Sequence, residues 1–206
     1  MAEVKLVWIT PDADKIIAYL ARVSNPNASP DMDSEKLIRY LIRHKHWSPF
    51  EMASMCVEIR TTRDIGRQIL RHRSFSFQEF SQRYAEVDST EEGRAMRLKG
   101  STNRQGSLAE RLSGLEADME KAAADAFAMY QYAINRGVAP ECARAILPEG
   151  FTPTKMYMAG TIRSWIHYLQ QRTDPHTQKE HRELAMVIYS ILMEHCPQVH
   201  GAAFND

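Results

Sequence analysis

RHRSFSFQEFSQRY, Arg71 to Tyr84, concentrates the chemistry of this chain and sets how the rest is read. Between Arg60 and Arg83 stand Arg60, Arg63, Arg67, Arg71, His72, Arg73 and Arg83, opposed locally by Glu58, Asp64 and Glu79. Apart from His72 the cations are all arginine, whose planar fork suits phosphate oxygens better than a lysine point charge. Arg67 and Arg71 are four residues apart and are expected to share a helix face, with Gln68 and Arg71 three apart. Arg71-His72-Arg73 then falls at a helix exit, where consecutive side chains fan apart and can serve two ligands. Ser74, Ser76 and Ser81 add short donors. Most charge runs are solvated helix faces. Interleaving with Phe75, Phe77, Phe80 and Tyr84 counts against that here. Stacking on single-stranded nucleic acid uses the same mixture, but it asks for a basic protein.

Upstream, Thr61 or Thr62 caps a helix over Arg63 to His72. In MASMCVEIRTT before it, Met55, Val57 and Ile59 alternate with Cys56, Glu58 and Arg60, the period of a half-buried strand. Pro49 breaks the chain at His44 to Phe50. A helix beginning at Ser34 precedes it, with Leu37, Ile38, Leu41 and Ile42 on one face. Ser24 to Ser34 reads as a loop. Val4 to Ile9 reads as a first strand, and Thr10-Pro11-Asp12 as the cap of a helix running to about Arg22. Downstream, Glu86 to Gly106 is polar and aperiodic and reads as a long exposed loop. Ser107 to Asn135 reads as one helix capped by Gly137. A short helix from Pro140 to about Pro148, a strand over Lys155 to Thr161 and a helix from Ile162 to Gln171 follow. A last helix from about Asp174 to Cys196 places Leu184, Val187, Ile188, Ile191 and Leu192 on one face. The class is α+β: a helix-rich single domain over 1–206 with a small, mainly antiparallel sheet.

Lys plus Arg balances Asp plus Glu at 26 each. Net neutrality argues against nonspecific coating of nucleic acid, which needs a basic surplus. Cys56, Cys142 and Cys196 are odd in number and widely spaced, so neither zinc nor a disulfide framework is suggested, and a reduced cytoplasmic setting fits. No metal cluster, signal peptide or membrane-length apolar run is read.

Arg71, His72, Arg73, Ser76, Ser81 and Arg83 match every fixed position of RHRxxSxxxxSxR, a signature of the flavin-dependent thymidylate synthases. The chain resembles that family along most of its length: in ARVS (Ala21 to Ser24), HKHWSPFE (His44 to Glu51), ARAILP (Ala143 to Pro148) and TIRSWIHYLQQRTDPHTQ (Thr161 to Gln178). It departs at Gln78, where the family often has Asn. The resemblance implies methylation of dUMP to dTMP, with methylenetetrahydrofolate as carbon donor and FAD, reduced by NADPH, as hydride carrier. It also implies a homotetramer with shared active sites, and no membrane or specific nucleic-acid partner. Two readings without flavin compete with it: a silent nucleotide- or RNA-binding scaffold, and a phosphohydrolase, which would want a carboxylate or His/Asp cluster for metal that the sequence does not offer.

Carried over by position, the dUMP site comprises Gln68, Ile69, Leu70, Arg71, Glu79, Phe80, Ser81, Gln82, Arg83, Arg144 and Arg172, with Arg83 and Arg144 on the phosphate. FAD contacts comprise Ser24, Ser48, Arg71, His72, Arg73, Glu79, Thr161, Ile162, Arg163 and His167. Arg172 is the implied catalytic residue, stabilising negative charge at uracil N3 and O2 so that C5 becomes nucleophilic; an arginine is a poor base. His46 and Tyr84 line the flavin and folate face. Cys142 is expected to be an inert, buried cysteine and dispensable. Trp47 and Trp165 are expected to pack rather than stack. His195 and His200 are expected to have no role, and His176 either caps a helix or acts.

Overall fold

The computed structural model describes residues 3–24, 33–100, 106–112 and 114–205, apart from the side chain of Ser24. The strands are β1 (Glu3–Ile9), β2 (Ser54–Thr62), β3 (Ser76–Glu79), β4 (Arg97–Lys99), β5 (Ser107–Arg111) and β6 (Pro153–Thr161). The helices are α1 (Ala13–Ala21), α2 (Ser34–Arg43), α3 (Arg63–Ile69), α4 (Leu115–Asn135), α5 (Pro140–Ala143), α6 (Ile162–Arg172), α7 (Lys179–His195) and α8 (Pro197–Phe204). Helices predominate, as the α+β reading expects. The main sheet is wholly antiparallel in the order β1-β2-β6-β3.

The period-two pattern of β2 is realised. Met55, Val57 and Ile59 have no solvent exposure, and Met156 and Met158 of neighbouring β6 match them. Ile162, Trp165, Ile166 and Leu169 of α6 and Leu184, Ile188 and Leu192 of α7 close over this face. Each such side chain contributes about 1.5–3 kcal/mol by leaving water. The buried Trp165 Nε1 donates to Met55 O at 3.0 Å, so its role is packing and anchorage. That bond ties α6, which carries Arg172, to the central strand.

Thr62 holds the N-cap position of α3 without a side-chain capping bond. The first helical amides find carbonyls in the segment before β6: Arg63 N donates to Thr152 O (3.0 Å) and Asp64 N to Glu149 O (3.3 Å). Asp12 precedes α1 in a left-handed conformation (φ 50) with no capping bond, so Pro11 lies outside the helix. Asp33 caps α2 through Glu35 N and Lys36 N.

Several boundaries differ from the sequence reading. Ser107–Arg111 is strand β5, paired with β4 in register Arg97↔Arg111 and Lys99↔Ser107, and the long helix starts only at Leu115. The Glu86 to Gly106 stretch is tied down where it is described. Val87 is buried and bonded to the Tyr130 hydroxyl, and Arg94 donates to Thr62, Asp64 and Gly150. Ser76–Glu79, to which the sequence reading assigns no element, is an edge strand on β6. The last helix starts at Lys179 and stops at Cys196, where Pro197 starts α8. Val187 is exposed, off the apolar face. The predicted Ser24 to Ser34 loop lies mostly outside the described residues. Among those described, no helix is long and apolar enough to cross a membrane.

Candidate active site

Residues of the short helix α3 and of the turn after it line two separate clefts. Gln68 and Arg71 line the first, of 640 Å³, together with Arg172, Asp174, His176 and Gln178. Arg63 and Arg67 line the second, of 440 Å³, with Gln82, Glu141, Arg144 and Glu149. Arg67 and Arg71 therefore do not share a face: α3 ends at Ile69, and Arg71 follows the turn beyond it.

In the first cleft, Arg172 is the last residue of α6, and its Nε donates to His72 Nε2 at 2.9 Å. For that bond the imidazole must be bare at Nε2. Burial, and then the charge of Arg172, push the His72 pKa down to about 4, so the ring is neutral at physiological pH. Tyr168 and Phe75 hold the ring edge-on at 4.9 and 6.4 Å. His72 is thus a brace for Arg172, whose two terminal amino groups stay available. Gln68 donates from Nε2 to Gln178 Oε1 at 2.6 Å. His176 is exposed and folded onto Asp174, which accepts from its backbone N and faces its Nδ1.

Behind the arginines of the second cleft, Glu79 accepts from Thr154 Oγ1 at 2.9 Å and stands 3.6 and 3.8 Å from Arg63 and Arg67. Arg67 also reaches Glu149 and the exposed Arg83 reaches Glu141. Arg63 Nη1 and Gln82 Nε2 are buried without a hydrogen-bond acceptor among the described residues. Arg144 has no ion-pair partner among them. Such a concave donor set suits an anion. Ser81 Oγ accepts from Arg83 N, and Phe80 is exposed.

A third group lies where β6 turns into α6. Thr161 caps that helix, accepting from Ser164 N at 3.3 Å. Arg163 pairs with Glu51, and its Nε is buried without a hydrogen-bond partner among the described residues. His167 meets Trp47 edge-on at 4.9 Å, and burial, then Arg163, lower its pKa. Ser48 is exposed on the 3-10 turn Ser48–Glu51. The side chains of Arg71 and Arg73 are exposed and make no hydrogen bond or ion pair among the described residues. Unpaired guanidinium groups, an orphaned buried guanidine N–H and a capped helix N-terminus fit a diphosphate cofactor such as FAD.

Some expectations need correction. Ile69 and Ile162 are sealed in the core, so neither side chain can touch a ligand. Leu70 packs on the same core. Cys142 is exposed rather than buried. His200 is buried against Tyr189 and Phe204, and His195 is exposed. His46 and Tyr84 are exposed; His46 meets Tyr40 edge-on. The side chain of Ser24 lies outside the described residues. Missing from the sequence reading are Tyr168, Gln178 and His181, which back the first cleft. Their one sequence signal is a polar His181 three residues before Leu184, on an otherwise apolar face.

A family model described as thymidylate synthase complementing protein matches residues 5–198. The chain is 46% identical over 192 residues to a probable flavin-dependent thymidylate synthase of Paramecium bursaria Chlorella virus 1, covering 91% of this chain and 88% of the relative. A flavin-dependent thymidylate synthase of Synechocystis sp. is 47% identical over 193 residues, with coverages of 91% and 87%. Among solved structures, a UMP/dUMP methylase, PolB from Streptomyces cacaoi bound with 5-Br dUMP, superposes with a TM-score of 0.87 at 29% identity, over 98% of this chain and 94% of that one. The chain belongs to the thymidylate synthase complementing protein family, that of the flavin-dependent thymidylate synthases.

Proposed function

We propose that this protein methylates dUMP to dTMP, taking the carbon from methylenetetrahydrofolate. FAD, when bound, supplies the hydride that it receives from NADPH. The observation that carries the reading is Arg172, held by a neutral His72 in a cleft with Gln68 and Arg71.

With Nε engaged by His72, the remaining Arg172 N–H groups meet the uracil carbonyl and ring nitrogen. There the cation stabilises charge that develops as C5 becomes nucleophilic. A fixed guanidinium in a half-buried site needs no reorganisation to do this. His72, neutral, competes for no proton. Gln68 and Arg71 orient the nucleotide; Arg144, Arg83, Ser81 and Gln82 take its phosphate. Glu79 keeps Arg63 and Arg67 in place beside that phosphate site. Arg71, Arg73, Arg163 and His167, with Ser48, Thr161 and the backbone at Ile162, hold FAD.

The two clefts share no lining residue, yet both carry residues assigned to dUMP. A homotetramer with active sites completed by a second copy accounts for this. A reducing cytoplasmic setting is part of the proposal, supported by three unpaired cysteines.

Purified protein should be yellow, should bleach on NADPH addition, and should bleach faster with dUMP. A colourless protein that takes up no FAD overturns the proposal. Co-expression of Arg144→Ala with Arg172→Ala tests the shared site. Mixed oligomers should regain dTMP formation that neither variant shows alone; equally dead mixtures would refute sharing.

A further inference from the structure

His181 is fully buried behind the first cleft and has a polar partner at each ring nitrogen. Its Nε2 lies 3.0 Å from the Tyr168 hydroxyl, and its Nδ1 lies 3.3 Å from Gln68 Oε1. The direction of every bond in this row follows from its far end. Arg97 donates to both oxygens of Glu180, at 2.6 and 3.0 Å. Burial alone would raise the Glu180 pKa, but the Arg97 hydrogen bonds, the backbone and Gln178 hydrogen bonds and the Arg97 charge together outweigh it and hold it at about 2. Glu180 is therefore a carboxylate and can only accept. Gln178 must turn Nε2 to Glu180 Oε2 (3.0 Å), which leaves its Oε1 for Gln68. Gln68 must then turn Nε2 to that oxygen (2.6 Å), which leaves Oε1 for His181. An amide oxygen only accepts, so His181 carries its proton on Nδ1. Nε2 is bare and accepts from the Tyr168 hydroxyl. Amide and imidazole orientations are set by such networks rather than by shape.

We infer that His181 is a positioning residue for dUMP: acting through Gln68 Oε1, it completes a two-point hold that, with Gln178 at the amide nitrogen, fixes that amide against the first cleft. The inference rests on the proposed contact between Gln68 and dUMP. Without the Nδ1 donor the Gln68 amide is held at its nitrogen alone, by Gln178, and can swing about that bond away from the geometry the nucleotide needs. Only part of the protein is then competent to bind, and apparent affinity falls in proportion.

Replacing His181 alone by Leu leaves the buried Tyr168 hydroxyl without its acceptor, which threatens folding. The double variant Tyr168→Phe, His181→Leu removes both ends of that bond while still depriving Gln68. Calorimetric Kd for dUMP and steady-state KM should rise about fivefold to tenfold, the factor one neutral hydrogen bond carries, with kcat little changed. His181→Asn, whose amide nitrogen can occupy the Nδ1 position, should return Kd close to that of the unaltered protein. Unaltered dUMP affinity in the double variant overturns the inference, even if its urea midpoint falls. So does an Asn variant no better than the double variant. Failure of the unaltered protein to bind dUMP would instead overturn the proposed function together with this inference.

Discussion

Gly160→Ala is the most exposing single perturbation of this site, because Gly160 is where β6 meets Phe75. A methyl group at Gly160 would lie 2.4 Å from Phe75 Cδ1 and 2.7 Å from Cε1, whereas ordinary contact begins at 3.4 Å. The ring must retreat by about 1 Å, and overpacking of this kind costs about 1–3 kcal/mol. Its surroundings give it little room. Trp165 meets it edge-on at 4.7 Å and Tyr168 at 5.9 Å, both completely or almost completely buried, and Phe77 lies at 6.3 Å. The upper half of that range is therefore expected. Phe75 also touches His72, the brace of Arg172, so dTMP formation should fall together with stability. Urea unfolding of Gly160→Ala, Phe75→Leu and the double variant measures the coupling. Relief of the clash should appear as a favourable interaction of about 0.5–3 kcal/mol. A Gly160→Ala protein with an unaltered urea midpoint and turnover would refute the argument.

Arg172→Ala should keep FAD absorbance while dTMP formation falls by about a hundredfold to a thousandfold, the size seen when one charge-stabilising donor is removed; normal turnover removes the assignment. Cys142→Ala should turn over normally, since its exposed thiol lines neither cleft; complete loss of dTMP formation would bring a cysteine nucleophile back. Acid should weaken the fold through its buried histidines. His72 and His181 titrate at about 4 and about 3 in the folded protein, below the ordinary 6.5, so the unfolded chain takes up their protons first as pH falls. Stability should decline from pH 6.5 downward, approaching about 1.4 kcal/mol per pH unit from the fully buried His181. Urea midpoints at pH 7 and 5 measure this, and His181→Asn should flatten the slope.

The parts of the fold that follow from strict periodicity were readable in advance. Alternation of Met55, Val57 and Ile59 specified β2, and the stripe Leu184, Ile188, Leu192 specified α7. Ser107–Arg111 was not, because its composition suits a helix and only pairing with Arg97–Lys99 makes it a strand. Ser76–Glu79 escaped for the same reason: an edge strand of four residues owes its form to β6. Within the candidate site, the arginine fork and its spacing marked the segment that the proposed function uses. That α3 and the turn after it line two clefts was hidden, because Arg67 and Arg71 straddle the helix end. His181 shows in the sequence only as a polar residue on an apolar face, since its importance lies in partners at Tyr168 and Gln68, 13 and 113 residues away.

The pairing of β2 with β6 joins residues roughly a hundred positions apart. Closing so long a loop loses chain entropy before any contact compensates, which makes sheet completion slow. On the ribosome, β2 waits with one edge open and Met55, Val57 and Ile59 uncovered until Thr161 has emerged. An apolar strand with a free edge invites association with neighbouring nascent chains. The strand that anchors the finished site is thus an aggregation hazard during synthesis, and a stretch that a holding chaperone has reason to bind.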